Sequence, residues 1–272
     1  MSILAVKENE PQNDGTFGLK TSQDKFHRGA FEVMQPVDKG HRSGLDALLI
    51  ASALPEGVSG TLADLGAGAG VAGLAALNLN PGLDLLAIEK HPEMAECARR
   101  TALLSTNMNL RSRVKVLEAD VTLSGADRTK AGLEAESVDY VIMNPPYNIK
   151  RDQPPRDPMK IEAFMMGECG IDAWFRTASA IARQGAMMVL IYRTENLGEV
   201  LACSQGRFGG LEIMPVHSSQ NEPAKRVIVR GIRGSRAPMS IVPGFVVHND
   251  DGSFTPEAEA IFDGSGRLSF GN

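Results

Sequence analysis

The residues of this chain best suited to chemistry are Asn144-Pro145-Pro146-Tyr147, where a β-type run, Val141-Ile142-Met143, meets two prolines. Prolines end a ladder or a helix and fix the local backbone. The Asn144 carboxamide oxygen and the Pro145 backbone oxygen can both accept hydrogen bonds from one NH₂ group. An NH₂ on an aromatic ring is a poor nucleophile because its lone pair is delocalised. Two acceptors aimed at its hydrogens favour pyramidal nitrogen and stabilise the positive charge that develops on attack. The prolines hold those acceptors in place before the reaction. The Tyr147 ring offers a stacking surface for a flat substrate. No proton has to leave first, so this chemistry needs neither a histidine nor a metal.

A second constellation lies upstream. Asp64-Leu65-Gly66-Ala67-Gly68-Ala69-Gly70 closes a buried strand pattern that breaks into glycines (59–70), and a helical pattern continues from it (71–81). Glycines there allow a tight turn and close approach of a ligand, and the helix start presents amide ends to negative groups. Gly68, Gly70 and Gly73 satisfy G-x-G-x-x-G, so a nicotinamide site is formally possible. Glu89, at the end of the next strand, could accept two ribose hydroxyls in either case. Two acids favour S-adenosylmethionine. Asp64, two residues before the first glycine, suits a cofactor with a positive amino group and crowds a pyrophosphate. Asp120 ends the third strand, where it can accept from an exocyclic adenine amine. Three acids at three consecutive strand ends predict one crevice.

The elements that must position these groups alternate. Strands are predicted at 59–70 (breaking into glycines), 83–89, 113–120, 137–147 and 186–193. Helices are predicted at 71–81, 91–107, 170–185 and 194–205, and 122–136 reads as a polar connection. Pro92 suits the first turn of its helix. Trp174, Ala178, Ile181 and Ala182 share one helical face. A further helix at 41–55 has Ser43 as its expected cap, with Asp46 three residues on. The runs 211–218 and 226–232 are separated by too few residues for a parallel crossover, so they should pair antiparallel. The expected fold is α/β: an open, mostly parallel, seven-stranded sheet with helices on both faces and an antiparallel C-terminal hairpin. Residues 1–30 are expected to be a flexible arm. Residues 31–272 form a single domain, with an extension from about 237.

Composition bounds the function. Of 272 residues, 43% are hydrophobic and 22% charged, as in ordinary globular proteins. No apolar run approaches the roughly 18 residues that span a bilayer, and the N-terminal stretch is too short for a signal sequence. A cytoplasmic location and no membrane partner are therefore expected. Cys97, Cys169 and Cys203 are scattered, and five histidines are dispersed, so neither a disulfide framework nor a metal site is expected. The net charge of −5 does not advertise a nucleic-acid binder. Two local runs concentrate positive charge, Lys150, Arg151 and Arg156 after the Asn-Pro-Pro-Tyr stretch and Lys225, Arg226 and Arg230 at and within the run 226–232, with plain solvated charge as the alternative reading of each. Both are candidates for phosphate contacts. The segment 150–170 reads as a candidate lid.

Taken in order, "DLGAGAG", "AIE", "EAD" and "NPPY" resemble the class I methyltransferases that act on amino nitrogens. The flanks "QPVDKGHRSGLDALLIA" (35–51) and "KRVIVRGIRG…FTPEAEAIF" (225–262) resemble the bacterial tRNA adenine-N6 methyltransferase family that modifies valine tRNA beside its anticodon. The resemblance spans roughly residues 30–265 and implies a Rossmann-like methyltransferase sheet. It implies that Asp64, Gly66, Gly68, Glu89, Asp120 and Val121, with Asn144, hold S-adenosylmethionine. It further implies that Asn144, Pro145, Pro146 and Tyr147 hold adenine, and that tRNA is the partner. A second aromatic residue often follows the motif in that family, and Asn148 stands in its place here. Three alternatives share the motif: glutamine-amide methylation of release factors, guanine-N2 methylation of RNA and adenine methylation of DNA. The first usually brings a helical substrate domain ahead of the glycine turn, and only 63 residues precede Asp64. From other classes, a non-catalytic nucleotide- or RNA-binding protein and a nicotinamide dehydrogenase stay open.

Overall fold

The computed structural model describes residues 12–13, 20–37, 44–146 and 170–271. Tyr147, Lys150, Arg151, Arg156, Cys169, Ser43 and most of the candidate lid lie outside the described residues. Among the described residues, no helix is long and apolar enough to cross a membrane.

The first strands are β1 (Gln12–Asn13), β2 (Lys20–Phe26) and β3 (Phe31–Pro36), which form a small antiparallel sheet. The expected arm boundary at residue 30 therefore falls inside a hairpin. The polar composition of β2 conceals this, because its inward groups are satisfied by polar partners. Asp24 is buried and accepts from buried Gln35 at 2.8 Å. The Asn107 side chain accepts from the Glu32 backbone N–H at 3.0 Å and donates to the Glu32 carbonyl at 2.7 Å, pinning β3 to the body of the protein.

The main sheet then builds in alternation. Strand β4 (Ser59–Leu65) leads to α2 (Val71–Leu79), β5 (Gly82–Glu89) to α3 (Pro92–Leu103), and β6 (Val114–Glu118) to the short α5 (Gly125–Lys130). Helix α1 (Leu45–Ser52) precedes β4, and a short α4 (Met108–Arg111) precedes β6. Next come β7 (Val138–Met143), α6 (Gly170–Ile181), β8 (Ala182–Arg193), α7 (Leu197–Ser204), β9 (Phe208–Ser219) and β10 (Arg226–Arg233). The seven main strands lie in the order β6-β5-β4-β7-β8-β10-β9. The first five are mutually parallel, and β10 runs antiparallel to both β8 and β9. The α/β, mostly parallel sheet with a closing hairpin is therefore the observed fold. The C-terminal extension adds β11 (Ser240–Ile241) and β12 (Phe245–His248), both parallel to β9, and α8 (Pro256–Asp263).

Two apolar layers bury the sheet. Alternate residues of β7, β8 and β10 (Ile142, Ile191, Ile228) face α1, α2 and α8. The intervening ones (Val141, Met143, Leu190, Val229) face α6. Gly73 lets α2 lie close on the sheet, since an added Cβ would sit 2.6 Å from Leu85 Cδ2.

Several boundaries differ from expectation: α3 closes at Leu103 rather than 107, the 122–136 connection holds α5, and two others have a visible cause. Helix α6 stops at Ile181, because Gly185 with φ 83° enters a bulge and β8 already pairs with β7 at Val138–Ala182. Helix α1 starts at Leu45, after Gly44, and Asp46 in its first turn pairs with Arg226 Nε at 2.7 Å. That ion pair joins positions 180 apart in the chain, and the expected cap, Ser43, lies outside the described residues.

The hairpin is clasped to α8. Buried His27 lies against Gly264, where an added Cβ would be 2.6 Å from its Cγ, and Arg28 pairs with Asp263. Burial lowers the His27 pKa from 6.5 to about 4, against a smaller opposing pull from Asp263. The unfolded chain binds that proton more readily, so this contribution is complete above pH 6.5 and is lost as pH falls towards 4. His27→Asn keeps a residue tolerant of the positive φ of 47°. In urea titrations the wild type should lose on the order of 2 kcal/mol more than this variant across that window.

Candidate functional site

One edge of the sheet gathers the candidate groups. Leu65 stands in register with Ile88 of β5 on one side and Met143 of β7 on the other. The residues that follow, Gly66, Glu89 and Asn144, therefore leave their strands together. The N–H groups of Gly66 and Ala67 both donate to the Ile88 carbonyl at 2.9 Å, and Ala119 N–H donates to the Glu89 carbonyl at 3.0 Å. These bonds lead the chain from the strand ends into the turns that hold Gly66 and Asp120. The structure thus brings Asp64, Gly66, Gly68, Glu89, Asp120, Val121 and Asn144 to one carboxyl edge, where open α/β sheets bind ligands.

Each group has a physical setting. The glycine turn uses left-handed backbone at Gly66, Gly68 and Gly70, with φ of 70°, 57° and 93°. Gly68 N–H donates to Glu89 Oε2 at 2.8 Å, and His91 N–H donates to Oε1 at 2.9 Å. The Glu89 carboxylate thereby ties the turn to the start of α3. A carboxylate offers about four lone-pair sites, so two backbone bonds leave acceptor capacity for a ribose diol. Asp120 Oδ1 accepts from both the N–H and the hydroxyl of Thr122, at 2.8 and 2.7 Å, which fixes its plane beside buried Val121.

Asp64 is 3% exposed, and its Oδ2 accepts from Gly73 N–H at 3.0 Å. Burial pushes its pKa up to about 7; the Gly73 bond opposes this and the Glu89 charge adds to it. A buried carboxylate held near neutrality favours a cationic partner, which restores its charged form. The donor and acceptor set thus fits S-adenosylmethionine: carboxylates for the amino group and ribose, and a backbone turn free of side chains.

Helix α6 supplies contacts that the sequence did not single out. The indole of Trp174, itself buried, packs on the glycine turn, and an added Cβ at Gly66 would lie 2.5 Å from its Cη2. Buried Thr177 donates from its hydroxyl to the Val121 carbonyl at 2.7 Å. One helix therefore braces two of the turns that line the crevice. The helical periodicity marked Trp174 as core, and only the fold shows which turn it meets.

Asn144 is half-buried, Pro145 buried and Pro146 half-buried, immediately after β7 and beside the glycine turn. The basic candidates divide. Lys225 and Arg226 sit at the carboxyl edge, where Arg226 opposes Arg193 of β8. Lys225 pairs with Glu222 at 3.1 Å and Arg226 with Asp46. Arg230 is a correction. It lies deep in β10, opposite Val189, with its side chain 9% exposed. Its Nε donates to Glu212 at 3.0 Å, and its guanidinium stacks 3.8 Å from the Phe270 ring centre. It holds the C-terminal segment and is not presented to a phosphate. Among the described residues, no group of three His, Cys, Asp or Glu is arranged to hold a metal.

The chain is similar to known methyltransferases. Residues 30–160 match the family model of the methyltransferase small domain. A crystal structure from Agrobacterium tumefaciens, described as that of a predicted O-methyltransferase, is 37% identical with a TM-score of 0.71, covering 82% of this chain and 97% of that one. The release factor glutamine methyltransferase of Caulobacter vibrioides is 34% identical over 98 residues, 36% of this chain and 30% of that protein. The ribosomal RNA large subunit methyltransferase G of Serratia proteamaculans is 33% identical over 109 residues, 39% of this chain and 26% of that protein. The chain thus spans less than a third of the length of these curated relatives.

Two outcomes check the site. Between pH 3.8 and about 7, folded Asp64 keeps a proton that the unfolded chain has released. Without cofactor, wild-type stability should therefore fall as pH rises through that window, and Asp64→Asn should remove the fall in thermal melts. Arg230→Ala should lower stability by about 2–3 kcal/mol in urea, because it strands Glu212.

Proposed function

We propose that this chain, which belongs to the class I S-adenosylmethionine-dependent methyltransferases, methylates an amino nitrogen, that of adenine N6 in tRNA. The observation that carries the reading is the position of Asn144-Pro145, at the end of the strand next to the glycine turn and on the same edge.

S-adenosylmethionine, when bound, supplies an electrophilic methyl group on a sulfonium. Asp64, Glu89 and Asp120, with Gly66, Gly68 and Val121, would hold it. The chain's own contribution to the reaction lies in the acceptor clamp. Asn144 Oδ1 and the Pro145 carbonyl accept the two N–H bonds of the amine, orient its lone pair and stabilise the positive charge that grows on nitrogen. Tyr147 and Pro146 supply the surface against which a flat base lies, and a base drawn from a tRNA loop would have to be unstacked first. Two acceptors match the two hydrogens of an amine and not the single hydrogen of a hydroxyl. For that reason the clamp favours nitrogen, although the Agrobacterium relative is named for an oxygen acceptor.

Adenine in tRNA is supported by the flanking resemblance at 35–51 and 225–262. A second reading has its own support. The clamp also fits the NH₂ of a glutamine amide, the acceptor named in the Caulobacter relative.

The deciding experiment incubates the protein with methyl-labelled S-adenosylmethionine and, in parallel, total tRNA, ribosomal RNA, DNA and release factor. Nucleoside and amino-acid analysis follows. Label should appear as N6-methyladenosine in tRNA, whereas label confined to release factor or attached to oxygen rejects the reading. Asn144→Ala should lower kcat about 100-fold or more. Cofactor affinity, measured by calorimetry, should fall far less, and an equal loss of both would reject the role.

A further inference from the structure

The proposed function needs a group that holds the polynucleotide beside the clamp, and the sheet register places one. Arg193, the last residue of β8, lies directly opposite Arg226, the first residue of β10. Opposed residues of an antiparallel ladder point their side chains to the same face, with Cα atoms about 4.5–5.5 Å apart. That face carries Ile142, Ile191 and Ile228. Asn144 follows Ile142 by two positions and Arg193 follows Ile191 by two. Arg193 and Arg226 therefore continue that face to the carboxyl edge, where Asn144 leaves the end of β7. Met143 pairs with Leu190, so Arg193 lies one strand across from Asn144 and two residues further out. Strand spacing and rise put their Cα atoms roughly 8 Å apart, comparable with the reach from a base to its own phosphate.

Like charges directly opposed across a ladder are destabilising, and here the two charges are held rather than turned away. Arg226 Nε meets Asp46 Oδ1 at 2.7 Å and Arg193 Nε meets Glu195 Oε1 at 3.2 Å. Both bonds run through Nε and orient the guanidinium planes. The two arginine side chains are still 36% and 38% exposed. Paired planar guanidiniums match the geometry of a phosphate, which accepts from both at once.

We propose that Arg193 and Arg226 together seat one backbone phosphate of the RNA beside the base held by Asn144-Pro145. This rests on the nucleic-acid reading of the acceptor and adds to it a substrate-positioning residue, Arg193.

The test is direct binding of total tRNA, without cofactor, from about 50 to 200 mM salt. Wild type, Arg193→Gln, Arg193→Lys and Arg226→Gln are compared by fluorescence anisotropy. Arg193→Gln carries the argument, because Arg226→Gln also removes the partner of Asp46; thermal melts confirm that each variant is folded. The expected result for Arg193→Gln is about tenfold weaker binding and a log–log salt slope shallower by about one. Calorimetric affinity for S-adenosylmethionine should be unchanged, and Arg193→Lys should recover only part of the loss. Wild-type affinity and slope in Arg193→Gln overturn the seat while leaving tRNA methylation standing. If the wild-type arm shows no tRNA binding, the seat falls together with the nucleic-acid reading.

Discussion

A single ladder row, Ile88–Leu65–Met143, governs the rest of the molecule. It sets where three neighbouring parallel strands stop, and so what the next residue of each can reach. Side chains alternate along a strand, so a slip of one residue would exchange the two faces of β4. Asp64 would then leave the Gly73 N–H for the layer that Ala63 and Leu65 occupy. The apolar partners on both faces make that slip expensive. Hydrophobic burial on two sides is thus what aims the polar ends of the strands.

Much of this edge was legible before the fold was known, because its signals are local. A carboxylate two positions before a glycine run, an acid ending the next strand and a proline pair ending a β-type run each lie within a few residues of what they shape. The alternation of strands and helices rests on the same short-range periodicity, and the number of residues between the last two runs decided that they pair antiparallel.

What was illegible depends on partners far along the chain. Arg230 reads as one more member of a basic run, and its burial follows from Glu212, Phe270 and the Ala53 carbonyl. Asp46 reads as a first-turn acid of its helix, and nothing local announces its pairing with Arg226. Arg193 gains its interest only when the register sets it against Arg226, 33 positions away. Strand β2 hides behind a polar composition, because buried Asp24 and Gln35 satisfy each other. In each case a charged or polar side chain finds its counterpart through tertiary structure.

Helix α6 has a practical consequence. Its indole is that of the only tryptophan in the chain, and it lies beneath the glycine turn, in contact with Gly66. The protein therefore carries one indole against the turn that borders the crevice, with no second tryptophan to dilute its red-edge emission. Occupancy of the crevice can be followed by the colour and intensity of that one ring, in an otherwise unlabelled molecule.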